Sequence, residues 1–244
     1  MSQPVRIGVL DSGVCRTHPH VGKIVDGITI SADGVFAGCE DNLGHGTAVA
    51  AIIHHLSPDA DLVAVKIFDG KLATNLRAVI RAIDWCLEHD IQVINLSLGT
   101  LNPEYRSAFE EAVERTREAG AVIVSALEMN GDPALPGSLA GVIGVVEADQ
   151  YEVLHRYGKP IYTAPPYPRD IPGVPRERNL KGVSFAVARI SAKVAETWSI
   201  TDGPGYWTGA SGQPRRTWDE IGDQASNKTI PGRPSAIRSL VSGV

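Results

Sequence analysis

The chain has 244 residues, with 23 Lys and Arg against 28 Asp and Glu and a formal net charge of -5. That length suits one sizeable α/β core, and 43% hydrophobic with 21% charged residues is the make-up of a globular domain, with no apolar run near the roughly 20 residues that span a bilayer. An acidic balance without a basic stripe argues against a nucleic-acid partner and the apolar pattern against a membrane one, and Cys15, Cys39 and Cys86 are spaced unlike a zinc site and read as free thiols.

From Met1 the chain runs almost directly into a strand, without the basic, apolar and cleavable pieces of a leader, so a cytoplasmic location is expected. Residues 5–10 are nearly all apolar, as in a strand buried on both faces, and they end at Asp11-Ser12-Gly13. The carboxyl end of such a strand is where open α/β sheets put their chemistry. The stretch that follows, to about residue 41, has no long amphipathic period and reads as surface loops and a hairpin.

Residues 44–56 turn helical, with His45 in the first turn and Ser57-Pro58-Asp59 as the stop. A buried strand is expected over 62–68. Leu76, Val79, Ile80, Ile83 and Leu87 then recur at helical intervals, followed by a strand over 91–96 that leads into Ser97-Leu98-Gly99. Tyr105, Ala108, Phe109, Ala112 and Val113 mark a further helix that Gly120 ends. Strands are expected over 121–126, 142–146 and, briefly, 161–164, before an irregular proline-rich stretch at 165–175. A last helix spans about 184–199 and starts at Ser184 itself. Alternating strands and helices of this kind give a three-layer α/β fold, a mostly parallel β-sheet with helices on both faces. Residues 1–200 form one domain, and the Gly-, Pro-, Ser- and Arg-rich residues 201–244 read as a largely irregular tail.

Asp11, His45 and Ser184 follow one another as acid, base and nucleophile. A serine hydroxyl holds its proton too tightly to attack at neutral pH and needs an adjacent base, for which imidazole has a suitable pKa. A hydrogen-bonded carboxylate fixes the imidazole tautomer and stabilises its cation. A serine at a helix start also presents its backbone N–H to a developing oxyanion.

The blocks Asp11-Ser12-Gly13-Val14 with His18-Pro19, Gly44-His45-Gly46-Thr47 and Gly182-Val183-Ser184-Phe185-Ala186 resemble the three catalytic blocks of the subtilisin-like serine proteases, the subtilases. Val93-Ile94-Asn95-Leu96-Ser97-Leu98-Gly99, Pro136-Gly137-Ser138-Leu139 and Ala164-Pro165 match further blocks in the family's order. The resemblance implies a serine endopeptidase with Asp11, His45 and Ser184 as triad, and Ser97, Leu98 and Gly99 as an edge on which substrate lies as an added strand. It also implies an oxyanion-hole asparagine after the strand over 121–126. Asn130 is the only asparagine there, although an ungapped alignment puts Met129 at that position.

Some residues depart from the family. Val183 replaces its usual threonine, and Ala188 and Arg189 its usual proline and histidine. The direct passage from the helix at 44–56 into the next strand leaves out a calcium-binding loop, so neither a metal nor a cofactor is expected. The sequence therefore points to an intracellular peptidase acting on a peptide or precursor protein, suited to precursor or leader-peptide maturation. The alternative is a degenerate subtilase that binds peptide as a partner protein in a processing complex.

Overall fold

The structure is a computed structural model that describes residues 3–201. Of the tail expected over 201–244, residues 202–244 lie outside the described residues, and Thr201 is the last residue of a helix. A nine-stranded sheet runs through the middle of the domain. Its central strands are β1 (Arg6–Asp11), flanked in parallel by β4 (Asp61–Lys66) and β5 (Val93–Leu96). On one side β2 (Ile24–Ile30) joins β4 in parallel and carries the antiparallel edge strand β3 (Val35–Ala37). On the other side β6 (Val122–Ala126), β9 (Val142–Glu147) and β11 (Lys159–Ala164) continue in parallel, and β10 (Val153–Arg156) closes the edge antiparallel. A separate two-stranded hairpin, β7 (Glu128–Met129) with β8 (Asp132–Pro133), leaves the end of β6.

The apolar runs have a simple cause. Successive strand side chains point to opposite faces, and both faces here are covered. Val93, Val122 and Val124 face one core together with α1 (His45–Leu56) and α4 (Val183–Thr201). Ile94 and Ile123 face the other, beneath α2 (Leu76–Glu88) and α3 (Arg106–Glu118). Asn75 starts α2 by accepting a hydrogen bond from the Ala78 amide, and Gly120 follows α3 at φ 71. This is the expected three-layer architecture.

Three expectations are corrected. Residues 24–30 were expected within surface loops and a hairpin; they do pair with β3 as a hairpin, yet they also form a strand of the main sheet, because β4 takes them as its outer parallel partner and Ile24 and Ile30 are buried. The hairpin of β7 and β8 and the strand β10 were not expected at all. Both are short and turn on an αL pair, Asn130-Gly131 and Tyr157-Gly158, with positive φ at all four residues.

The β10–β11 turn also delivers Lys159 to an unusual place. Its ammonium donates to the carbonyls of Gly137, Leu139 and Val142 at 2.7, 2.6 and 2.9 Å, pinning the segment before β9 to the start of β11. Burial pulls the Lys159 amine down to about 8.

Candidate active site

The chain order in the sheet reverses at β1: the strands that follow it go first to one side, then β5 starts the other. Open α/β sheets leave a crevice at the carboxyl ends of the strands where such a reversal occurs. Asp11 ends β1 at that point and is fully buried. Its Oδ1 accepts from the Ser12 amide at 2.7 Å and meets His45 Nδ1 at 2.7 Å. Oδ2 has no hydrogen-bond partner among the described residues.

His45 is the first residue of α1, and a loop built around Asp41 fixes it there. Asp41 Oδ1 accepts from the amides of Leu43 and Gly44 at 2.9 and 2.8 Å and from Ser12 Oγ at 2.9 Å, and Oδ2 accepts from Thr47 N and Oγ1 at 2.9 and 2.6 Å. Gly44 takes φ 80, a left-handed conformation that suits glycine, to turn the chain into the helix. The Ser12 hydroxyl in turn accepts from the Gly46 amide, so the acid strand and the histidine helix share one network.

The charges set the titration of the ring. Burial is the largest single influence and pulls the His45 pKa down, but the Asp11 hydrogen bond with the charges of Asp11 and Asp41 outweighs it, and His45 titrates above its ordinary value. Burial likewise pushes Asp41 up, and its hydrogen bonds from Thr47, Leu43 and Gly44 more than reverse this, so it stays ionised to lower pH than an ordinary aspartate.

Ser184 lies in the first turn of α4, where the backbone N–H groups have no partner within the helix. It lines one cleft of about 410 Å³ together with His45, Ser97, Leu98 and Gly99. Phe185 follows it and packs its ring 5.4 Å from that of His45. Phe68, Leu72, Leu98, Tyr105, Phe109 and Met129 make the cleft largely apolar. The structure thus brings Asp11, His45 and Ser184 to one end of the sheet, with the edge at 97–99 beside them.

Asn130 is not brought into the cleft. It occupies the turn of the β7–β8 hairpin at φ 54 and is exposed, whereas Met129 lines the cleft. The Asn-Gly pair that offered an asparagine near this place is used as a two-residue hairpin turn. The sequence reading also passed over Asp41, whose signal was an aspartate four residues before His45, and the buried pair Asn95 and Ser191, which gave no signal because the two are far apart in the chain. Of the cysteines, Cys39 is buried and Cys15 half-exposed, and neither is among the cleft-lining residues.

The model of the subtilase family matches residues 2–171. The chain belongs to the subtilase family. The matched span contains Asp11 and His45 and ends before Ser184. This subtilase is 34% identical over 157 residues to a thermostable alkaline protease of Halalkalibacterium halodurans, covering 59% of this chain and 42% of that one. It is 28% identical over 136 residues to subtilisin DY of Bacillus licheniformis, covering 52% of this chain and 48% of that one. The chain thus spans less than half the length of these relatives.

Among solved structures, a cold-adapted subtilisin-like serine proteinase superposes with a TM-score of 0.63 at 19% identity, covering 82% of this chain and 77% of that one. The prenylagaramide maturation protease PagA gives 0.60 at 22%, covering 82% and 78%. A lanthipeptide protease gives 0.62 at 18%, covering 81% and 75%. At these identities the likeness is one of fold.

Proposed function

We propose that this subtilase is a serine endopeptidase that cleaves peptide bonds through an acyl-enzyme, with Asp11, His45 and Ser184 as its triad. The observation that carries the reading is the 2.7 Å contact of His45 Nδ1 with the buried Asp11, in a cleft that Ser184 also lines. With Nδ1 held by the carboxylate, the free Nε2 takes the Ser184 Oγ proton as Oγ attacks the scissile carbonyl carbon. The C–N bond breaks as Nε2 passes that proton to the leaving amine. Water then attacks the acyl carbon as it loses a proton to the same nitrogen, and that proton passes to Ser184 Oγ as the ester C–O bond breaks, releasing the acid and restoring the serine.

The Ser184 backbone N–H donates to the oxyanion. Met129 in the cleft offers no such donor, and losing one side-chain donor of this kind costs roughly 3 kcal/mol of barrier. A slow, selective enzyme is therefore the reading, and processing of a precursor peptide its proposed role. The fold likeness to proteases titled for peptide maturation supports that role. A cytoplasmic setting belongs to the same proposal; no helix among the described residues is long and apolar enough to cross a membrane.

A fluorophosphonate probe tests the chemistry. Covalent labelling of the wild type that vanishes in Ser184→Ala, with peptide cleavage lost in parallel, is the expected outcome. Folded protein that takes no label would instead favour a peptide-binding partner with a lapsed active site.

A further inference from the structure

Behind the substrate edge lies a chain of buried polar groups that the proposed triad does not use. Asn95, on β5, is fully buried. Its amide nitrogen donates to Ser97 Oγ at 2.9 Å, and its amide oxygen accepts from Ser191 Oγ at 3.0 Å. Ser191 sits on α4 seven residues after Ser184, two helical turns along the same face and roughly 10.5 Å away. A serine inside a helix commonly turns its hydroxyl back to the carbonyl four residues earlier. Ser191 reaches across to the sheet instead.

The donor directions follow from counting protons. A buried asparagine needs partners at both ends, and the Ser191 hydroxyl supplies the proton at the oxygen end. The amide must therefore donate at the other end, so Ser97 Oγ accepts there and keeps its own proton. Among the described residues Ser97 Oγ has no acceptor of its own, and Ser97 lines the cleft. From the next strand, Ser125 Oγ donates to the Leu98 carbonyl at 2.9 Å, so the edge is fixed from β6 as well as from α4.

We propose that Ser191 and Asn95 are positioning residues for the substrate: they turn the Ser97 hydroxyl so that its proton points into the cleft and donates to the backbone of the peptide lying along 97–99. The link also ties that edge to the helix carrying Ser184, and so sets the height of the bound peptide above the nucleophile. This inference rests on the proposed function for the identity of the ligand, a peptide in extended form. It does not depend on turnover.

The test is therefore made on binding. In the Ser184→Ala background, the affinity for an uncleaved peptide substrate is measured with Ser97→Ala, with Ser191→Ala and with both. Each single change is expected to weaken binding about five- to ten-fold, the worth of one hydrogen bond, and the pair to weaken it no further than Ser97→Ala alone. With Ser184 restored, a small fluorophosphonate that does not extend along 97–99 should label Ser191→Ala at the wild-type rate.

Unchanged affinity in Ser191→Ala would overturn the proposal, as would additive losses in the pair. Probe labelling slowed as much as peptide binding is weakened would also overturn it, since that marks a disturbed helix and not an aimed hydroxyl. Failure of the triad itself reads out differently, as a wild type that takes no label while its peptide affinity still responds to Ser97→Ala.

Discussion

Asp41 is the second carboxylate of the site, and its charge reaches His45 without a direct bond between them. As the proposed base, His45 would work only when neutral, so a raised pKa means that activity is lost at a higher pH on acidification than an ordinary histidine would give. Asp41→Asn removes that charge. The acid limb of kcat/KM should move to lower pH, and a limb that stays or rises would contradict the assignment. The same titration acts on stability with the opposite preference. A histidine whose folded pKa is raised stabilises the fold below its unfolded value, and that contribution disappears as pH rises through the folded value. The protonated, inactive form is thus the one that His45 stabilises. At this scale the three residues of the proposed triad could be picked out from the sequence because each sits in a short block of characteristic neighbours, and the structure brings Asp11 and His45 into contact. Asn130 was misplaced because an Asn-Gly pair serves a hairpin turn as readily as an oxyanion site, and only the backbone angles distinguish the two.

The elements fit together through close approaches that side chains would block. Gly46 in α1 is the clearest: a Cβ there would lie 2.2 Å from the Gly13 carbonyl oxygen and 3.1 Å from Asp11 Cβ. The helix carrying the base can approach the strand carrying the acid only without that atom. Gly46→Ala should therefore cost about 2 kcal/mol of stability and separate His45 from Asp11. A lower urea midpoint together with a drop in kcat would confirm it, and a variant as stable and active as the wild type would show that α1 has room to shift. Long periodic segments such as α2 and α3 were readable because their pattern of apolar residues reports which face is buried. The two-residue strands β7 and β8 carry no period, and β2 was hidden because Asp26 and Gly27 interrupt its apolar run. Sheet pairing across the chain, not local preference, decides such segments.

For the whole molecule, Lys159 ties the sheet edge beyond β9 to the segment that precedes β9. Lys159 donates to three buried-side carbonyls, of which that of Leu139 also accepts from the Val142 amide, and Lys159→Met should cost roughly 2–4 kcal/mol. Its pH signature has a definite sign. The folded pKa of about 8 lies below the ordinary 10.5, so the folded state holds this proton less tightly than the unfolded one. The contribution of Lys159 to stability therefore rises as pH climbs from about 8 toward 10.5. Between about pH 7 and about pH 10 the urea midpoint should fall less, or rise more, for the wild type than for Lys159→Met, and equal changes in the two would remove the role. The three-layer fold was legible from alternation alone. The cage around Lys159 was not, because carbonyl groups leave no trace in the order of side chains.

The position of α4 in that order has a further effect during synthesis. Asp11 and His45 come from the first quarter of the chain, and Ser184 arrives only after every strand of the sheet has been made. A nascent chain that has already paired acid with base still has no hydroxyl to activate. Contacts of such long separation also form late, since the intervening segment must be ordered first. On the proposed assignment the site is therefore silent until α4 is made, and because α4 buries Phe185, Val187, Ile190 and Val194 in the core, a chain broken off before it lacks part of its packing as well as the nucleophile. Under the proposed function, the order of synthesis by itself keeps the growing polypeptide from being cut by its own unfinished site.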